Sequence, residues 1–464
     1  MDHIANPLPL SGYRAARQSG TKSQDCRLKN KAVAYIFACL KKGVHVKKRI
    51  IARMLSLAFM LSVLFSLSGC GTSGQAADLM SGVKANTLLP DAARTEEETA
   101  AIAGFGVTLF KDSAESDKNT LVSPLSVLCA LAMTANGAKE ETLGQMEQVF
   151  GLSVEELNNY LGTYVRTLPS GDKYKVNLAN SIWFKDDNKL TVEQSFLQTN
   201  ADYYGASVYK APFDDGTLKD INTWVSDNTD GMIDSILDKI PDAAVMYLVN
   251  ALAFDAEWET IYKETQVRDG TFTTESGETR DVEMMYGTEH AYLDDGSATG
   301  FIKYYADRKY AFAALLPNEG VSVADYVASL TGERLMSTLQ NAQDVKVKTA
   351  IPKFESEYSI EMSDILKAMG ITDAFNVDSA DFTGLGQSAD GNIFISRVLH
   401  KTYIAVDEKG TLAGAATAVE MMAGGAAPSD EIKTVYLDRP FVYMLIDCET
   451  NLPLFIGTAM DIGQ

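Results

Sequence analysis

Two kinds of hydrophobic spacing alternate along the chain, and the change between them outlines its architecture. EETAAIAGFGVTLFKD places Ile102, Phe105, Leu109 and Phe110 near a 3.6-residue period, which predicts an amphipathic helix. SPLSVLCALAMTANGA opens on Ser123 as an N-cap, with Pro124 at the first helical position. Leu125, Leu128, Leu131 and Ala132 then share one face, and Gly137 marks the stop. SVEELNNYLGTYVRTL predicts another amphipathic helix. Further on the period shortens. VNLANSIWF (Val176–Phe184) is β-rich, and MYLVNALAFDAEW (Met246–Trp258) is apolar throughout, as expected of a central strand covered on both faces. YAFAALLP, VKVKTAIPKF, NIFISRVLHKTYIAVDE, RPFVYMLID and LPLFIGTAM also read as strands. Helices first and long strands later predict an α+β protein with large antiparallel or mixed sheets.

Charge separates the front of the chain from the rest. The 464 residues carry a net charge of −21, yet residues 1–70 hold 12 Lys/Arg against 2 Asp/Glu. The remainder therefore has 41 − 12 = 29 basic and 62 − 2 = 60 acidic residues, a balance of −31. That acidity argues against nucleic-acid or heparin binding, which needs clustered Lys and Arg. The basic KKRIIAR (Lys47–Arg53) precedes 16 apolar or small residues, Met54–Gly69, a run short for a membrane span. It ends in LSGC, Leu67–Cys70, which resembles the lipobox of bacterial lipoproteins. The resemblance implies cleavage before Cys70, lipid on that cysteine, and export to the outer face of the cell membrane. Residues 71–94, rich in Gly, Ser, Ala and Asn, are expected to form a flexible tether, and 95–464 a single folded domain.

The residues offer little catalytic chemistry. Only His290 and His400 follow the signal, and no HExxH, GxSxG, P-loop or paired-cysteine motif occurs. GLGQSADG, Gly384–Gly391, is a Gly-rich loop without the strand-to-helix setting of a phosphate site. Cys129 and Cys448 lie in apolar runs and read as small buried hydrophobes. No metal or other cofactor is expected.

Four segments together carry a more specific signal. NTLVSPLSVLCALAMTANGAKEET (Asn119–Thr142) resembles the second helix of the serpin family, and LVNALAFDAEWE (Leu248–Glu259) the serpin strand that ends in a Trp. ISRVLHKTYIAVDEKGT (Ile395–Thr411) resembles the strand that leads into the serpin reactive loop, and RPFVYMLIDCETNLPLFIGTAMDI (Arg439–Ile462) the C-terminal hairpin. The four stand in the family's order. The resemblance implies three β-sheets with about nine helices, an exposed reactive-centre loop, and no enzyme activity. It also implies inhibition of serine proteases: the cleaved loop enters the main sheet as a new strand while the protease remains attached.

That mechanism gives VDEKGTLAGAATAVEMMAGGAAPSDE (Val406–Glu431) a physical reading. Side chains alternate faces along a strand, so every second residue of an inserting loop enters the core. On the family's spacing Glu408 begins the hinge and Gly410 turns it. Thr411, Ala413, Ala415 and Thr417 then face inward, and none is bulky or charged. Leu412 departs from the family's usual Glu but points outward. The scissile region falls at Met422, Ala423, Gly424 and Gly425, small or flexible neutral residues that suit elastase-like or subtilisin-like proteases. Ser123, Ser126, Asn250 and His400 match the family's shutter, a polar cluster beneath the sheet, and Trp258 its breach, where the loop enters. The expected partner is a serine protease in covalent complex with a monomer. The rival readings are a non-inhibitory serpin, against which the small hinge argues, and a surface solute-binding lipoprotein, for which two α/β lobes are missing.

Overall fold

The first predicted helix forms as Glu96–Ser113 in the computed structural model, and its ends explain its limits. Thr95 accepts from the Glu98 N–H while the Glu98 carboxylate reaches back to the Thr95 N–H, so two orphan donors are satisfied reciprocally. Three glutamates in the first turn favour the positive end of the helix dipole. Ile102, Phe105, Leu109 and Phe110 are buried, as their spacing requires. The next helix, Pro124–Ala135, is capped by Ser123 and begins on proline, but all twelve of its residues are buried rather than one face. It packs against the strands Tyr174–Lys185, Met246–Glu257 and Pro453–Ala459. Gly137 follows because a Cβ there would lie 2.8 Å from the Leu385 Cα.

The structure describes residues 76–86, 94–168, 170–186, 190–389, 391–411 and 432–462. These belong to one compact unit, Gly74–Gln464. They form nine α-helices and three sheets of seven, nine and two strands, the α+β architecture anticipated above. The seven-stranded sheet runs, in spatial order, Ala77–Asp78, Ser207–Ala211, Tyr174–Lys185, Met246–Glu257, Gly410–Thr411, Arg397–Val406 and Phe354–Glu361. It is mixed: Tyr174–Lys185 is antiparallel to the central strand Met246–Glu257, whereas Arg397–Val406 is parallel to it. The main core lies between this sheet, the helices and the nine-stranded sheet.

Three details differ from the sequence reading. VKVKTAIPKF is not one strand. Gln343–Pro352 belongs to the nine-stranded sheet and Phe354–Glu361 to the seven-stranded one, so the chain changes sheets at Lys353. In NIFISRVLHKTYIAVDE only Arg397–Val406 is strand. The expected tether is partly docked. Ala77–Asp78 extends the sheet beside Ser207–Ala211, and the Leu79 N–H donates to the Val208 carbonyl at 2.9 Å. Asn86 donates twice to Asp202, at 2.7 and 2.9 Å. The Gln198 amide donates to the Lys84 carbonyl. Backbone groups and short polar side chains do the holding, so a Gly/Ser/Asn composition was a poor guide to mobility.

Candidate functional site

The central strand and the strand Arg397–Val406 meet differently at their two ends. At one end Tyr247–Leu252 pair directly with Arg397–Thr402, which sets Asn250 opposite His400. Four side chains expected to cluster are brought together here, and all are fully buried. The Ser123 N–H donates to His400 Nε2 at 3.0 Å. Nε2 is therefore an acceptor, so the proton of the neutral ring sits on Nδ1, which donates to Asn250 Oδ1. Ser126 Oγ also donates to Asn250 Oδ1, at 3.4 Å, and Asn250 Nδ2 donates to the Leu399 carbonyl at 3.1 Å. The Thr402 hydroxyl adds a bond to the Leu121 carbonyl at 2.7 Å. Burial lowers the His400 pKa to about 3, because no carboxylate compensates a charge there. Protonated Nε2 would also point its new hydrogen at the Ser123 donor. The cluster binds the helix Pro124–Ala135 to both strands only while it is uncharged.

At the other end the strands separate. Beyond the Leu252–Thr402 level no ladder pairing joins Ala253–Asp255 to Tyr403–Ala405 among the described residues. The space is closed above by two residues: Gly410 pairs with Glu257, and Thr411 pairs with Ala256 on one side and Val406 on the other. Gly410 and Thr411, expected in the hinge, thus form a first rung between the two strands. Gly410 is required there, since a Cβ would stand 2.0 Å from the Ala256 carbonyl oxygen. Thr411 points inward, as alternation demanded, is fully buried, and hydrogen-bonds the Tyr305 hydroxyl.

The turn that delivers this rung is held at several points. Asp407 Oδ1 accepts from the Lys409 and Gly410 N–H groups at 2.7 and 3.0 Å. Trp258 Nε1 donates to the Asp407 carbonyl at 2.8 Å, and the Trp258 N–H to the Lys409 carbonyl, also at 2.8 Å. The Tyr262 N–H donates to the Glu408 carbonyl at 2.9 Å. Trp258 stacks on Tyr305 with centroids 4.3 Å apart and planes within 9°. The Glu408 carboxylate pairs with Lys353 at 2.9 Å, and Lys353 also reaches Glu283 at 3.3 Å. The hydrogen bond from Lys353 lowers the Glu408 pKa.

A family model described as "Serpin (serine protease inhibitor)" matches residues 100–462. The chain belongs to the serpin family. Among solved structures, the thermophilic serpin tengpin in its native state is 48% identical, with a TM-score of 0.80, covering 84% of this chain and all of that one. Tengpin in its latent state is 45% identical with a TM-score of 0.71, covering 80% of this chain and all of that one. An uncharacterized serpin-like protein of Thermococcus kodakarensis is 30% identical over 78% of this chain and 85% of its own length. The direct pairing of Tyr247–Leu252 with Arg397–Thr402 accords with the higher likeness to the native serpin.

The structure brings Ser123, Ser126, Asn250 and His400 into one network, and Glu408, Gly410, Thr411 and Trp258 into another. Ala413, Ala415, Thr417, Met422, Ala423, Gly424, Gly425 and Cys70 lie outside the described residues. Tyr305, Tyr262 and Lys353 hold the segment Asp407–Thr411 but carried no signal in the sequence. Each reads there as an ordinary strand or turn residue, and Tyr305 lies 106 residues from Thr411 along the chain.

Proposed function

We propose that this serpin is inhibitory and traps serine proteases of elastase-like or subtilisin-like specificity. The observation that carries this reading is the Gly410–Thr411 rung, seated between the central strand and Arg397–Val406 with Thr411 buried beneath it. Residues that follow Thr411 in register would enter between Ala253–Asp255 and Tyr403–Ala405, which are not paired to each other among the described residues. The inward set Ala413, Ala415 and Thr417 is small and uncharged, so insertion incurs no charge desolvation. The protease serine Oγ attacks the carbonyl of the scissile residue within Met422–Gly425. The C–O ester bond forms, the peptide C–N bond breaks, and the serine proton passes to the departing amine. Insertion of the freed strand then carries the esterified protease with it. The native form is on this account held kinetically rather than at its free-energy minimum. The protein works as a monomer without a cofactor. Its exported position and membrane attachment come from the lipobox-like LSGC and lipid on Cys70.

Incubation with elastase and with subtilisin, followed by denaturing electrophoresis, tests the central claim. A covalent complex with the mass of both proteins less the C-terminal fragment is expected, with that released fragment beginning at Ala423, Gly424 or Gly425. Clipping without any complex would make the protein a substrate-like serpin and end the inhibitory reading, and cleavage before Val419 would overturn the register. Intact-mass analysis of membrane-extracted protein checks the anchor: a chain starting at lipidated Cys70 is expected, and an unlipidated N-terminus overturns it.

A further inference from the structure

Among the described residues three large apolar side chains are exposed, and two of them, Ile432 at 51% and Tyr436 at 37%, stand on one five-residue strand. That strand, Ile432–Tyr436, is the edge of the nine-stranded sheet and pairs in parallel with Gln343–Pro352. Its register sets Ile432 beside Lys346, Thr434 beside Lys348 and Tyr436 beside Ala350, all on one face. The next strand, Thr279–Asp294, adds Thr288 beside Lys348 and Tyr286 beside Ala350. Tyr286 and Tyr436 meet edge to face across the buried Ala350, with ring centroids 5.9 Å apart. The Arg268 guanidinium lies 5.6 Å from the centre of the Tyr286 ring.

Charge sets this face apart. Lys346, Lys348 and Arg268 are exposed, and none of the paired positions just named is acidic. Glu289, next along after Thr288, falls on the opposite face with the buried Val347 and pairs with Lys303. The chain after residue 70 has 29 basic and 60 acidic residues, a balance of −31, so three cations around exposed apolar groups are a local exception. A single exposed apolar residue needs no explanation, but a contiguous set rimmed by charge marks a contact surface.

Its position in the chain names the occupant. Ile432 follows the expected scissile region, Met422–Gly425, by 7 to 10 residues. At about 3.5 Å per residue, the scissile bond stands no farther than about 25–35 Å from Ile432. A protease domain of about 250 residues has a radius of gyration of about 18 Å, so one seated on that bond has its own surface within reach of the face. We propose that this face is a second docking surface for the target protease, and that it favours a protease with acidic side chains beside its substrate cleft. The domain as a whole repels such a protease, and Lys346, Lys348 and Arg268 supply the local attraction that orients it. Ile432 and Tyr436 give the contact its apolar centre. The proposal rests on the reading that a protease is the partner, but not on covalent trapping or loop insertion.

The probe is subtilisin with its active-site serine replaced by alanine, used unmodified and after succinylation of its lysines, which turns them into carboxylates. Binding to the full chain is followed on a biosensor. The probe cannot acylate, so association is read whether the protein is an inhibitor or a substrate. The double variant Lys346→Glu/Lys348→Glu should associate with the succinylated probe about tenfold more slowly than wild type. That difference should vanish in about 1 M salt, where charges are screened beyond about 3 Å. A charge-matched control at two other exposed lysines, Lys118→Glu/Lys219→Glu, should slow association less than about twofold. Tyr436→Ser should speed dissociation about fivefold. The unmodified probe should not be slowed by either double variant. Equal slowing by the two double variants, or none, overturns the face, and slowing of the unmodified probe overturns the preference for an acidic partner. A wild-type dimer that Ile432→Lys dissolves would give the face to a second copy of the chain and overturn its assignment to a protease. No association of either probe overturns the protease reading and the face with it, whereas binding that the lysine variants leave unchanged overturns the face alone.

Discussion

The two ends of the contact between Met246–Glu257 and Arg397–Val406 are held by opposite kinds of chemistry. The closed end uses a neutral, fully buried network in which His400, Asn250, Ser123 and Ser126 satisfy one another. Breaking it strands donors and acceptors in the core, so the cost of opening is concentrated in a few groups. The hinge end uses an aromatic stack, a glycine passed closely by backbone, and an ion pair that solvent reaches. Those contacts are spread over several residues, and each can be lost singly. On the proposed inhibitory reading, a sheet that stays shut and later accepts a strand would be latched where water is excluded and only propped where the strand begins.

The largest effect is expected from His400→Ala, which leaves the Ser123 N–H and one bond of Asn250 unpaired beside a new cavity. A loss of about 3 kcal/mol is expected in the urea midpoint, with polymers appearing on native gels. An unchanged midpoint would remove the closed end from the argument. Next comes pH. The His400 pKa is about 3 when folded and 6.5 as the ordinary value, so the unfolded chain binds the extra proton between those limits. No cost exists above pH 6.5, and stability falls as pH drops through the window, by about 2 kcal/mol from pH 7 to pH 5. The wild type minus His400→Ala difference isolates this term, because carboxylate titration is common to both.

The hinge end should give smaller changes. Gly410→Ala forces a Cβ against the Ala256 carbonyl and should cost about 1.5 kcal/mol, read as faster amide exchange at Thr411. Tyr305→Phe removes one buried hydrogen bond to Thr411, for about 1 kcal/mol on the same readout. Glu408→Gln loses a partly exposed ion pair with Lys353, for about 0.5 kcal/mol or less, and the loss should shrink in high salt. A Glu408→Gln loss as large as that of His400→Ala would sink the contrast between latch and prop.

How much of this was legible depended on sequence distance. The first helix was readable from its cap, its acidic first turn and its period, all within one segment. The central strand was readable because a run covered on both faces needs apolar residues throughout. The shutter residues were legible only jointly and through family likeness: alone, Ser123 is a helix cap and His400 an odd polar residue on an apolar strand. Tyr305 and Lys353 were not legible at all, because what they do depends on Thr411 and Glu408, which lie far away along the chain. The docked stretch 76–86 was missed because its binding groups are mostly backbone, which has no compositional signature.

By itself the sequence determined the properties that are sums or local rules. These are the acidic balance after residue 70, the small uncharged residues at alternate positions after Gly410, the helix starts and the strand periods, each set by neighbours a few residues apart. Only the tertiary structure decided which nitrogen of His400 carries the proton, and that Gly410 and Thr411 already sit between two strands. It alone decided that the chain changes sheets at Lys353. Those outcomes depend on groups far apart in the chain arriving within hydrogen-bond reach, and burial then sets which charge states and contacts survive.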